Sequence, residues 1–118
     1  MTTEPMAEKT LFSRIIEGEL YCDKVYEDDD VFAFKDIDPK APVHILVVPK
    51  QPVPSIADVQ DPLLAGKVML VAAKIAKEQG LDSRGYRLVI NHGADAGQSV
   101  FHWHVHIIGG RVLDWPPG

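Results

Sequence analysis

The sequence predicts an α+β domain, an antiparallel sheet of about five strands with two main helices packed beside it. Three observations carry that prediction. Apolar periodicity runs as helix, hairpin, strand, helix, then two strands joined by a loop, with few connections long enough for parallel crossovers. The 118 residues are 46% hydrophobic and 25% charged, the balance of one ordinary globular domain whose core needs no staple. No repeat, low-complexity tract or second domain interrupts residues 1–118.

Each element follows in order. Residues 1–7 read as a disordered lead-in. Thr10 is placed to cap a short helix in which Leu11, Phe12, Ile15 and Ile16 share an apolar face, with Gly18 as its stop. Lys24–Glu27 and Val31–Lys35 read as hairpin strands around Glu27-Asp28-Asp29-Asp30. Those four acids lack the spacing of a calcium loop, so a solvated turn is the reading. A proline-punctuated connection, 36–42, leads into Val43–Pro49, apolar enough for the centre of a sheet but interrupted by His44. Residues 51–60 contain Pro52 and Pro54 and form a loop.

Asp61-Pro62 then starts a helix as an acceptor cap and first-turn proline, and Gly80 stops it. Ala65, Val68, Met69, Ala72, Ile75 and Ala76 form its buried stripe; Leu63, Leu70 and Ala73 lie on another side that suits a partner subunit. Residues 86–92 read as a strand. Residues 93–99 form a small-residue loop leading to a histidine-rich strand, and Gly109-Gly110 breaks the sheet before a tail, 111–118.

Composition removes several functions. A net charge of -5 argues against binding nucleic-acid backbone, though not against one small anionic ligand held by local donors. Cys22 is the sole cysteine, so no internal disulfide can form and a reducing, cytoplasmic location is expected. The first residues lack a signal-peptide layout, and the apolar runs are too short to cross a membrane.

The chemistry concentrates in Phe101-His102-Trp103-His104-Val105-His106-Ile107-Ile108. Side chains alternate along a strand, so His102, His104 and His106 line one face about 6.6 Å apart, with Trp103, Val105 and Ile107 turned to the core. Four readings compete. One is a structural, hydrogen-bonded histidine cluster. A second is a zinc site, for which His44 is the candidate further ligand because no carboxylate or cysteine lies close in sequence. A third is phosphoryl or nucleotidyl transfer with neutral imidazole as nucleophile and its neighbours as proton donors. Gly97, Ser99 and exposed backbone N–H groups of the preceding loop fit this reading as a phosphate cradle. A fourth is binding through the same donors without chemistry.

The segment His102-Trp103-His104-Val105-His106-Ile107-Ile108 resembles the His-φ-His-φ-His-φ-φ signature of the histidine triad superfamily. Further stretches are similar to its histidine triad nucleotide-binding (Hint) branch. They include Thr10-Leu11-Phe12, Phe34-Lys35-Asp36-Ile37, Ala41-Pro42-Val43-His44, Gly97-Gln98-Ser99-Val100 and Trp115-Pro116-Pro117-Gly118, and the resemblance spans about residues 9 to 118.

That resemblance implies a homodimeric purine nucleoside phosphoramidase. The substrates would be purine nucleoside 5′-phosphoramidates such as adenosine phosphoramidate, with aminoacyl-type adenylates included, and the product a purine nucleoside monophosphate. No metal or other cofactor is implied; zinc on the histidines would be dispensable. His104 would attack the α-phosphorus and carry a transient nucleotidyl group. His106 would donate to phosphate or leaving group, Ser99 would bind near the leaving group, and His102 paired with His44 would orient the nucleophile. Asn91, Gly97 and the backbone around Gln98 and Ser99 would complete the phosphate cradle. Asp36 would accept from the ribose hydroxyls, and Leu11, Phe12, Ile15, Phe34 and Ile37 would sandwich the base, which moves Phe12 and Ile15 from core to pocket wall. The Trp115 tail would approach the partner's active site.

Trp103 is large for its φ position, Asp38 stands where relatives carry serine or asparagine, and His92 has no assigned role. Two alternatives stay open: a nucleotide-binding scaffold with little turnover, and dinucleoside polyphosphate hydrolysis, the work of another branch.

Overall fold

Thr10 opens the first element as a cap: its Oγ1 accepts the Ser13 N–H at 3.0 Å, and α1 (Leu11–Ile16) follows with Phe12 buried. The structure, a computed structural model, describes residues 9–118, so the lead-in expected at 1–7 lies outside the described residues. After α1 come β1 (Lys24–Glu27), β2 (Val31–Lys35), β3 (Val43–Pro49), α2 (Pro62–Glu78), β4 (Tyr86–Val89) and β5 (Val105–Gly109), with a 3-10 turn at Ile56–Asp58 between β3 and α2. The five strands form one antiparallel sheet in the order β1-β2-β3-β5-β4. This is the expected α+β arrangement of five strands and two helices.

The sheet separates core from site by its alternation. Val31, Ala33, Ile45, Val47, Val105 and Ile107 pack with Val68, Val71, Ala72, Ile75 and Ala76 of α2. Each large aliphatic side chain among them contributes about 1.5–3 kcal/mol by leaving water. Phe32, Phe34, Leu46 and Val48 form a second cluster with Phe12 of α1. His106 lies opposite Leu46 in the β3–β5 register, so histidine chemistry belongs to the α1 face.

The long helix keeps its predicted ends. Asp61 Oδ1 accepts the Leu63 N–H at 2.9 Å, and Gly80 takes a φ of 79° just beyond the last turn. Its stripe is shifted slightly: Val71 is buried, while Ala65 and Met69 are half-buried against the core. Leu63 and Leu70 are exposed, as their off-stripe positions predict. The acidic turn is a hydrogen-bonded hairpin. Asp28 Oδ1 accepts the N–H groups of Asp30 and Val31, and Tyr26 donates to Oδ2. Burial raises this carboxyl, but those bonds and Lys67 outweigh it and hold Asp28 far below the usual carboxylate range.

The histidine strand is shorter than expected. Regular pairing starts at Val105, opposite Val47, so His102 and His104 precede the ladder. The cause lies in the neighbouring strand. Continuing the antiparallel register would set residue 103 against Pro49, which has no N–H to donate. The Trp103 N–H goes instead to Val53 O at 2.6 Å, and the Pro49 carbonyl faces the His102 ring. Trp103, Val105 and Ile107 nevertheless all reach the α2 core, as alternation predicts. The strand expected at 86–92 also ends early, at Val89, which pairs with His106.

Candidate active site

Four histidines acquire defined tautomers from their hydrogen-bond partners. A carbonyl oxygen only accepts, so each ring nitrogen facing one carries the proton. His104 Nδ1 faces the His102 carbonyl at 2.7 Å. It therefore donates, leaving Nε2 with a free lone pair. His102 Nε2 faces Pro49 O at 2.7 Å and donates, so Nδ1 accepts from Thr10 Oγ1 at 2.9 Å.

His44 and His106 follow from a backbone donor. The Lys40 N–H donates to His44 Nδ1 at 3.0 Å, which puts the His44 proton on Nε2. That Nε2–H points to His106 Nδ1 at 2.9 Å, which puts the His106 proton on its own Nε2. His106 Nε2 is buried and has no partner among the described residues. A lone pair on His104 and an unclaimed N–H on His106 thus sit on rings 5.0 Å apart, centroid to centroid. The Arg111 guanidinium holds the relay's first member, donating to Lys40 O through Nε and Nη2 at 3.1 and 3.0 Å.

This pairing corrects one expectation. His44 was expected to work with His102 on the nucleophile, yet its ring bonds to His106, while Thr10 and Pro49 hold His102. The register decides it: His44 and His106 lie on adjacent antiparallel strands, whereas His102 is beyond the end of the β3 ladder.

Burial keeps all four rings neutral. Desolvation lowers His102, which is fully buried, and also lowers His104, in each case against a bond to a backbone carbonyl that favours the charged form. His106 falls furthest, to about 4, through desolvation and then the neighbouring His104 and His44. His44 is also lowered by desolvation, partly opposed by Asp36. Each ring is therefore neutral at pH 7, with one proton, the state a nucleophile or a neutral N–H donor requires.

The histidines open onto a cleft of about 330 Å³, the lower end of the range for small-molecule sites. Leu11, Phe12, Ile15, Phe34, Asp36, Ile37, Ser99, His104 and His106 all line it. Phe12 stacks edge-on against Phe34 at 5.5 Å and His104 at 5.0 Å, joining the apolar end to the imidazoles. Ile37 is 95% exposed at this cleft, an apolar side chain left uncovered by the protein.

Other expected members are elsewhere. Asn91, Gly97 and Gln98 are not among the cleft's lining residues. The Gly97 and Gln98 N–H groups already donate to Ala94 O and Gly93 O, each at 3.0 Å, so they are spent within the turn. Gln98 is buried as a brace: Oε1 accepts the Gly93 N–H, and Nε2 donates to Pro54 O and Val100 O. Gly97 is needed for its φ of 84°; a Cβ there would meet nothing within 4 Å among the described residues. Ser99 alone of this loop's expected members reaches the cleft, with Val100 beside it.

Leu20, Tyr21, Cys22 and Leu46 line the cleft without having been expected there. Leu46 had a signal, since it lies two residues from His44 on the same strand face. The Leu20–Cys22 stretch had none, being an irregular link between α1 and β1.

A metal fits this site poorly. Asp36, His44 and His106 bring one carboxylate oxygen and two ring nitrogens within 4.8 Å of one another, a ligand set zinc can use. Ligation at His44 Nε2 would, however, drive its proton to Nδ1, against the Lys40 N–H.

Known proteins resemble this chain in sequence and fold. Residues 17–113 match the HIT domain. An uncharacterized HIT-like protein of Synechocystis sp. is 51% identical over 115 residues, covering 96% of this chain and 100% of that protein. The crystal structure of a HIT family hydrolase from Legionella pneumophila superposes with a TM-score of 0.90 at 43% identity, covering 93% of this chain and 100% of that one. That of a histidine triad nucleotide-binding protein from Candida albicans gives 0.80 at 29% identity, covering 92% and 83%. The histidine pattern, the five-stranded sheet with its two helices and these matches lead to one conclusion: the chain belongs to the HIT family.

Proposed function

We propose that this HIT protein is a purine nucleoside phosphoramidase of the Hint branch, cleaving the P–N bond of adenosine phosphoramidate and its relatives. The observation that carries the reading is the pair of ring atoms at the cleft: an unprotonated His104 Nε2 beside a buried His106 Nε2–H that lacks an acceptor among the described residues. A buried donor without a partner costs about 1–3 kcal/mol, which a phosphate oxygen would recover.

In this reading His104 Nε2 attacks the α-phosphorus while the P–N bond of the substrate breaks. The leaving nitrogen takes a proton from solvent and departs as an amine, while the neutral His106 ring keeps its Nε2–H and donates it in a hydrogen bond to a phosphate oxygen. Water then attacks the nucleotidyl-His104 phosphorus. The bond to the ring breaks, the water proton passes to solvent, and the nucleoside monophosphate leaves. Ser99 hydrogen-bonds near the leaving nitrogen. Asp36 accepts from the ribose hydroxyls, and the base lies among Leu11, Phe12, Ile15, Phe34 and Ile37, covering Ile37. His44 and His102 are positioning residues. No step uses a metal, in keeping with the proton on His44 Nε2.

The same reading makes the protein a homodimer whose C-terminal tail approaches the partner's cleft. In support, the tail is held where it begins: Arg87 Nη2 donates to Leu113 O and Asp114 O, and its guanidinium lies 5.6 Å from the Trp115 ring centre. A cytoplasmic location goes with it. No helix among the described residues is long and apolar enough to cross a membrane.

The test compares adenosine phosphoramidate with a dinucleoside polyphosphate, each with and without a chelator. The expected result is faster phosphoramidate turnover, unchanged by chelation. Loss of activity on chelation would sink the metal-free mechanism, and preference for the polyphosphate would sink the phosphoramidase.

A further inference from the structure

We propose that Thr10, besides capping α1, is a positioning residue for the nucleophile, tying the helix that walls the cleft to the histidine segment through the His102 ring. The inference rests on the reading of His104 as nucleophile. Its starting point is a count of protons. Thr10 Oγ1 accepts the Ser13 N–H at 3.0 Å and has one proton to give. His102 Nε2 donates to Pro49 O, so in a neutral ring Nδ1 needs a donor, and Thr10 Oγ1 lies 2.9 Å from it. The Ser13 Oγ, 3.1 Å from Thr10 Oγ1, is a second acceptor within reach of the same proton. The buried His102 Nδ1, however, is the costlier group to leave without a donor.

The His102 side chain is fully buried and clamped between the end of β3 and the start of α1. The carbonyl of this same residue receives the His104 Nδ1–H at 2.7 Å. The group that orients the nucleophile is thus anchored by its own side chain, and Thr10 is one of the two anchors. Phe12, two residues along, contacts both rings, at 5.9 Å from His102 and 5.0 Å from His104. Without the Thr10 proton the buried Nδ1 lone pair is unsatisfied, and the ring gains a reason to turn or change tautomer. A displacement of about 1 Å at a reacting group costs about 100-fold in rate.

Three variants separate positioning from capping. Thr10→Ser keeps cap and donor. Thr10→Asp keeps the cap, since aspartate caps as well as threonine, but offers His102 only an acceptor. Thr10→Val loses both. The expected result is that Thr10→Ser keeps kcat within about threefold, while Thr10→Asp and Thr10→Val lower it about 10- to 100-fold with KM changed far less. Ring ¹⁵N NMR should find His102 protonated on Nε2 in the wild type and on both nitrogens in Thr10→Asp. Wild-type kcat with an unchanged His102 signal in Thr10→Asp would overturn the proposal, as would a rise confined to KM in Thr10→Val. The NMR arm needs no substrate, so an error in the assigned reaction is distinguishable from an error about Thr10.

Discussion

Replacing His104 with alanine is expected to lower kcat/KM for adenosine phosphoramidate by about four orders of magnitude, while affinity for a purine nucleoside monophosphate changes only a few-fold. The separation follows from the site. His104 supplies one lone pair, oriented by the His102 carbonyl, and burial holds it neutral. The cleft retains its apolar side chains, Asp36, Ser99 and His106 without it. Turnover and titration of the variant check this, with circular dichroism to show that the fold survives. Wild-type turnover in His104→Ala would end the assignment of nucleophile.

The second large effect is expected at His106, and it should absorb the effect of removing His44. His106→Ala removes the Nε2–H donor and should cost about 100- to 10,000-fold in kcat. His44→Ala leaves the donor ring but removes the bond that fixes its tautomer, for an expected loss of about tenfold. The two act in series through the 2.9 Å bond from His44 Nε2 to His106 Nδ1, so the double variant should be no slower than His106→Ala alone. Strict additivity in this cycle would mean that His44 acts on His104 by another route, as the family resemblance implied.

Which features were legible follows from their range along the chain. Alternation is local, so Trp103, Val105 and Ile107 could be assigned to the core and the histidines to the cleft side. The α2 caps are local as well: Asp61, Pro62 and Gly80 mark them in the sequence. Pairing of His44 with His106 depends on the β3–β5 register between residues 62 positions apart, which spacing does not encode. Pro49 ended the histidine ladder from a neighbouring strand, and its effect became visible only once the two were side by side. The 93–99 loop shows a different limit. Its small residues suggest open donors, but the Gly97 and Gln98 N–H groups are consumed by the turn they build. Family resemblance supplied the expected cleft residues; hydrogen-bond direction supplied the tautomers.

The central claim is that cleavage proceeds by two displacements at phosphorus with His104 between them. Stereochemistry tests it without requiring an intermediate to accumulate. An adenosine phosphoramidate carrying sulfur at the α-phosphorus, in one configuration, would be hydrolysed in ¹⁸O-labelled water and the chirality of the thiophosphate product determined by ³¹P NMR. Two in-line displacements each invert phosphorus, so the account predicts net retention; inversion would mean that water attacks the substrate directly and that His104 is not a covalent nucleophile.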